Sequence, residues 1–300
     1  MKETLTKHKE KIKSIVYLIG KSLGILGLLY VFYKLYQEYT FSSFTEQFIS
    51  VLHITPLLIL VNFLSLVIGI YAWYHMLLSY AKKPFGYVYA YYYFSKTEIA
   101  KYLPGNIFHF VGRQALAHKI GITQKQMAKI SLLHSLLLLG GTIIAATVFA
   151  FLSQEVPLFI LTLMVLSSII IFISLVYMYP SIRISKKISL NLYLAFSIAL
   201  QGVMLGIIVV YQSDTYTWSL FCLSISIYIL SWLIGYVTPG ASGGLGVREG
   251  AFIAITSYMH FDIHADIVIF AVLLVRLINI LVDILMYFST FALENKIKEL

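Results

Sequence analysis

The sequence predicts an all-α polytopic membrane protein: six full spans and two oppositely oriented re-entrant hairpins, arranged as an inverted-topology repeat. Three observations carry this expectation. The 300-residue chain is 60% hydrophobic and only 12% charged, with a mean hydropathy of +0.86; a soluble domain carries about twice that charge fraction. The apolar runs are continuous and roughly 20 residues long, which suits membrane-crossing helices, whereas a β-barrel alternates in short segments. Two apolar regions are interrupted by the same pattern, Pro-Gly followed by Gly and Arg.

The spans read in order are 14–36, 55–80, 130–152, 157–179, 189–211 and 266–291, and the interrupted regions are 84–112 and 217–260. The tail before the first span is basic, but the apolar run that follows is too long for a signal peptide and lacks its small-residue cleavage site. Residues 1–300 are therefore read as one transmembrane domain, with pseudo-repeats at about 14–152 and 157–291.

Loop charges set the orientation, because Lys and Arg accumulate on the cytoplasmic side. The N-terminal tail carries Lys2, Lys7, Lys9, Lys11 and Lys13, whereas the loop after the first span carries Glu38 and Glu46 and no base. The alternation continues. Lys82, Lys83, Arg113, Lys119, Lys125 and Lys129 precede Glu155; Arg183, Lys186 and Lys187 precede Asp214; Asp262 and Asp266 come before the last span. Both termini are expected in the cytoplasm of a cell-membrane protein. The net charge of +9 then reflects this bias, and no nucleic-acid partner is expected. Cys222 is the only cysteine, which excludes a disulfide framework and a thiolate metal cluster.

Both flanks of 84–112 are cytoplasmic on this reading, yet about 28 residues are too few for two spans. A hairpin entering from the cytoplasm, broken at Pro104-Gly105, fits. Region 217–260 forms the opposite hairpin, broken at Pro239-Gly240. The breaks lie 135 residues apart, and Arg113 and Arg248 each follow their proline by nine. The same offset carries 55–80 onto 190–215 and 130–152 onto 265–287. Inverted repeats of this kind place a binding site at the repeat interface.

Broken backbone at membrane depth is tolerated where it lines a cavity or is buried in protein. The first break holds Lys101, Asn106, His109 and Arg113; the second holds Gly240, Arg248 and Glu249. Four glycines between 240 and 246 allow a sharp turn that offers amide N–H groups, and a half-helix starting near Val247 points its positive end inward. Two arginines there suit a phosphate, which guanidinium binds bidentately. In the last span Arg276, Asn279 and Asp283 share one helical face, either as an ion pair that fixes packing or as a pocket wall. His134 reads as a hydrogen-bonded packing residue. His260 and His264 beside Asp262 and Asp266 sit in a short loop, and no metal or other cofactor is expected. Tyr87, Tyr89, Tyr91, Tyr92 and Tyr93 fit an interfacial aromatic belt. No nucleotide-binding, zinc-protease or nucleophile-elbow motif occurs, so a non-catalytic transporter is expected rather than an enzyme.

Residues Lys101-Tyr102-Leu103-Pro104-Gly105-Asn106-Ile107-Phe108-His109-Phe110-Val111-Gly112-Arg113, together with Pro239-Gly240 and Gly243-Gly244-Leu245-Gly246-Val247-Arg248-Glu249-Gly250, give the chain a recognisable look. It resembles the transmembrane, flippase-like region of lysylphosphatidylglycerol synthases and their stand-alone relatives, over essentially its whole length. The resemblance implies lipid movement across the bilayer: aminoacylated phosphatidylglycerol in the synthases, polyprenyl-linked intermediates in relatives. Two departures stand out. No aminoacyl-transferase domain follows Leu300, so the synthase reaction is not expected, and Ala241-Ser242 lengthen the second motif.

The expectation is thus a lipid translocase for an anionic phospholipid or a polyprenyl-phosphate-linked lipid. Asn106, His109, Arg113, Arg248 and Glu249 would meet the head group, Lys101 and Gly240 would line the breaks, and Arg276 and Asp283 would support the wall. The alternative is a membrane subunit or enzyme of cell-envelope lipid or polysaccharide synthesis. Membrane lipids are the expected partners; a homo-oligomer or a complex with envelope-synthesis enzymes is left open.

Overall fold

The structure, a computed structural model, describes residues 18, 22, 25–27, 29–30, 32–33, 36, 41–102, 113, 118–213, 216–239, 244–259 and 265–298. Among them every regular element is helical: α1 (Phe41–Val51), α2 (Thr55–Leu78), α3 (Tyr87–Glu98), α4 (Gln124–Ser153), α5 (Leu158–Met178), α6 (Ile184–Gln212), α7 (Trp218–Val237), α8 (Val247–Tyr258) and α9 (Ala265–Lys298), with 3-10 turns at Ile99–Tyr102 and His118–Ile120. Helices α2, α4, α5, α6, α7 and the stretch Asp266–Glu294 of α9 are each long and apolar enough to cross a membrane, the architecture of a multi-pass helical membrane protein.

Five expected spans correspond to α2, α4, α5, α6 and α9, and several run longer than their apolar cores. Helix α4 starts at Gln124 because a capping box secures its polar first turn: the Thr123 hydroxyl accepts from the Gln126 N–H while the Gln126 side chain accepts from the Thr123 N–H. The expected span 14–36 falls largely outside the described residues, as do Asn106, His109 and Gly240.

One element differs from expectation. The first limb of the hairpin at 217–260 is α7, a 20-residue helix spanning about 30 Å. Its run is apolar and carries no proline until Pro239, so nothing stops it earlier. The second limb, α8, has 12 residues and reaches only about 18 Å. The tyrosine run also differs. Tyr89, Tyr92 and Tyr93 of α3 are buried inside the bundle, where they pack as an aromatic cluster with Phe85, and so do not form a belt at a lipid boundary.

Polar contacts fix how the helices run. Helices α2 and α6 cross antiparallel at Ser65 and Ser197, each hydroxyl donating to the other's carbonyl, at 2.7 and 2.8 Å; ring contacts His53–Tyr211 and Tyr71–Tyr193 lie on either side. Helix α4 runs parallel to α6, tied by Asn191 Nδ2 donating to the Leu137 carbonyl. There Gly141 lets the backbones touch, since a Cβ would lie 2.9 Å from the Ala195 N and the Asn191 O. Small residues at such crossings are how helices associate in lipid. Helix α9 runs parallel to α2, which it meets through Asn62–Asn279, while Gln47 of the preceding α1 bonds Asp266 at the start of α9. Helix α7 is antiparallel to α4, held by hydroxyl bonds from Ser219 to Ser153, Ser226 to Ala146 and Tyr236 to Ser135. Helix α3 is antiparallel to α9, through Tyr91–Ser289 and Lys101–Asp283.

The α4–α7 register sets the depth of the second break. Tyr236, near the end of α7, bonds Ser135, eleven residues into α4, about 16 Å from its start. The chain turns there and returns as α8. At this turn Gly244 and Gly246 have φ of 73° and 78°, a left-handed backbone that favours glycine. Helix α5 lies at the edge: Leu175 is its one buried residue, and its apolar side chains face outward, as lipid exposure permits.

Candidate functional site

A cavity of about 380 Å³ lies where α2 and α6 cross, walled by α2, α3, α4, α6, α7, α8 and α9. Its size falls within the range of small-ligand sites. Both broken regions reach it. From the first come Glu98, Lys101, Tyr102 and Arg113; from the second, Gly244 and Arg248, with Trp232 and Tyr236 of the preceding helix. Helix α9 adds Arg276, Asn279 and Asp283.

The first break supplies a chain of alternating charges. Arg113 is buried and donates to Glu98 at 2.5 Å, its guanidinium lying 4.2 Å from the Phe94 ring centroid and 5.5 Å from that of Trp73. The other Glu98 oxygen faces Lys101 at 3.2 Å, and Lys101 also pairs with Asp283 at 2.7 Å. The Tyr102 hydroxyl donates to the same Asp283 oxygen at 2.5 Å. Ion pairs of this burial hold only when each charge is compensated and hydrogen-bonded.

The second break is built differently. The Arg248 guanidinium lies 5.3 Å from the Trp232 ring centroid, and the Trp232 and Tyr236 rings stack at 5.1 Å with a 10° tilt. Gly244 leaves room for this arginine, since a Cβ there would lie 3.3 Å from the arginine Nη2. No carboxylate pairs with Arg248 among the described residues, and its Nε is buried without a hydrogen-bond partner. The position offset by 135 from Glu98 is Leu233, so the partner that Arg113 enjoys is missing here. Glu249, next in sequence, is not among the residues that line the cavity. Its carboxylate accepts from the Gly246 N–H at 2.8 Å, capping α8, and its other oxygen faces Arg276 Nη1 at 3.7 Å.

Of the sequence-derived candidates, Lys101, Arg113, Arg248, Arg276 and Asp283 therefore meet at one cavity. Glu249 stands behind it as a cap and as a partner of Arg276. Asn106, His109 and Gly240 lie outside the described residues. Both readings of the Arg276–Asp283 face apply in part: each residue lines the wall, yet they pair with Glu249 and Lys101 rather than with each other. His134 also lines the cavity.

Glu98 belongs to the interrupted region 84–112 but was not expected in the site, and sequence reasoning overlooked Asn62, Gln201 and Trp232. A signal existed for the first two. Asn62 and Gln201 are polar residues within otherwise apolar spans, and such residues face the interior. For Trp232 no pattern in the chain distinguishes it from the surrounding apolar run. No protein family, no curated protein and no solved structure matches this chain.

Proposed function

We propose that the chain is an integral-membrane lipid translocase, not an enzyme, in which the α2–α6 cavity receives the anionic head group while the acyl or prenyl tails stay in the bilayer. The observation that carries the reading is Arg248: a guanidinium on a cavity wall, its Nε buried, with no carboxylate in ion-pair contact among the described residues. An uncompensated cation of this kind is costly in a low-dielectric interior and is relieved by an anion.

Packing supports the inverted repeat. Exchange α2 with α6, α3 with α7 and α4 with α9. The antiparallel pair α2–α6 maps onto itself, the antiparallel pairs α4–α7 and α3–α9 map onto each other, and so do the parallel pairs α4–α6 and α2–α9. The turn after α7, at the depth of Ser135, supports a re-entrant second hairpin that enters from the side opposite the first. The resemblance to the flippase-like region of lysylphosphatidylglycerol synthases points the same way, as does the loop-charge pattern that sets both termini in the cytoplasm of a cell membrane. A subunit or enzyme of envelope synthesis is less well supported. Glu98, Asp283 and Glu249 are each held by a cation, which leaves none poised as a general acid or base.

The reading is tested by reconstituting the protein into liposomes that carry a fluorescent anionic phospholipid in one leaflet. Transbilayer exchange is expected from the native protein and lost with Arg248→Ala and Arg113→Ala. Exchange at the native rate in both variants would remove the site assignment.

A further inference from the structure

The charge around the cavity is countable. Residues 103–112 and 240–243 contain no Asp, Glu, Lys or Arg, so the breaks add no charge beyond the described residues. Among the described residues, the wall and its paired neighbours hold four cations, Lys101, Arg113, Arg248 and Arg276, against three carboxylates, Glu98, Asp283 and Glu249. With His109 and His134 neutral, four minus three leaves one positive charge. That surplus has an address. Glu98 serves Arg113 and Lys101, Asp283 serves Lys101 and Tyr102, Glu249 serves Arg276, and Arg248 is left over.

From this we infer that the site selects a lipid whose head group carries a net charge of minus one, a phosphodiester with no ammonium, seated on Arg248. The inference rests on the translocase reading and narrows its substrate class. A phosphodiester brings one negative charge and cancels the surplus. A phosphomonoester brings about −1.5 to −2 at pH 7, and a diphosphate link brings a comparable second charge, which leaves an uncompensated anion in the interior. An ammonium-bearing head fares no better. It needs a carboxylate, and all three are already held. The stacked Trp232–Tyr236 pair offers a cation–π face, but Arg248 already occupies the Trp232 ring. The narrowing therefore sets aside both the aminoacylated lipid and the phosphomonoester or diphosphate carriers that the resemblance suggests.

Calorimetric titration of the purified full chain in detergent, at about pH 8 where a monoester with a second pKa of about 6 is dianionic, tests this. The probes are dihexanoyl phosphatidylglycerol, phosphatidic acid and phosphatidylcholine, plus glycerophosphoglycerol as the tail-free diester. Phosphatidylglycerol is expected to bind about tenfold tighter than the other two lipids, and tighter than glycerophosphoglycerol. Glu98→Gln and, independently, Asp283→Asn each raise the surplus to two and are expected to shift preference about tenfold toward phosphatidic acid. Arg248→Gln is expected to lose phosphatidylglycerol binding, and Arg248→Lys to keep its selectivity. Equal or tighter binding of phosphatidic acid by the native protein overturns the inference. So does a preference that neither carboxylate variant moves, and so does glycerophosphoglycerol binding as well as the lipid. Arg248-dependent lipid exchange alongside a preference for phosphatidic acid would sink the charge rule and leave the translocase standing. Selective diester binding with no exchange would do the reverse.

Discussion

Replacing Gly27 with alanine is expected to destabilise the protein, and replacing Gly250, which faces it, is expected to stabilise it. A Cβ on Gly27 would lie 2.1 Å from the carbonyl oxygen of Gly246 and 2.4 Å from its carbonyl carbon. Carbon and carbonyl oxygen rarely approach closer than about 3.3 Å, so the two segments must separate by roughly 1 Å. The carbonyl cannot swing aside cheaply. It accepts the first hydrogen bond of α8, from the Gly250 N–H at 2.9 Å, and the Gly246 N–H is held by Glu249. Overpacking of this kind costs about 1–3 kcal/mol, against a helix-propensity gain of roughly 0.8–1 kcal/mol for Gly→Ala. The net expectation for Gly27→Ala is a loss of up to about 2 kcal/mol. At Gly250 the nearest atoms to an added Cβ are 3.6 and 3.9 Å away, an ordinary contact, so the propensity gain of about 0.8–1 kcal/mol stands alone. Thermal unfolding of both variants in one detergent, followed by tryptophan fluorescence, reads the signs. Equal melting temperatures, or a loss at Gly250 as large as that at Gly27, would refute the close approach and with it the placement of α8 that aims Arg248 at the cavity.

Other perturbations follow from the same contacts. Glu98→Gln strips buried Arg113 of its carboxylate and is expected to cost about 3 kcal/mol; Arg113→Gln costs less because Lys101 still serves Glu98, and the double variant recovers part of the loss, which an unfolding double-mutant cycle measures. Ser65→Ala and Ser197→Ala should couple by about 1 kcal/mol, within the range for hydroxyl bonds between membrane helices, and additive losses would count against the reciprocal crossing. Thr123→Ala removes the α4 capping box and is expected to lower stability by about 1 kcal/mol; an unchanged melting temperature would show that the cap contributes nothing in a helix so well packed.

Much of this arrangement is legible in the chain because long apolar runs have few alternatives. Helices α2, α4, α5, α6 and the apolar stretch of α9 follow directly from uninterrupted hydropathy, and the two Pro-Gly motifs of the sequence lie close to residues that line the cavity. The length of α7 was not legible. A break at Pro239 marks where a helix stops but not how far in it began, and nothing between Trp218 and Ile234 interrupts it. The tyrosines of α3 misled for a related reason. Aromatic residues with one polar atom suit both a lipid boundary and a polar-lined interior, and only packing on α9 and α2 separates the two. The site was half visible. Spacing paired Arg113 with Arg248, but it implied that the two are equivalent. They differ because Glu98 has Leu233 at the matching offset, and a leucine where symmetry calls for a carboxylate draws no attention until Arg248 is seen to pair with no carboxylate among the described residues.

Native mass spectrometry of the gently extracted protein tests most directly the proposal that Arg248 holds an anionic lipid in the α2–α6 cavity. The native chain is expected to carry a co-purifying phosphodiester lipid of net charge minus one, retained in Arg248→Lys and lost in Arg248→Gln. The same lipid bound equally to the native protein and to Arg248→Gln, or a zwitterionic lipid in its place, would contradict the account.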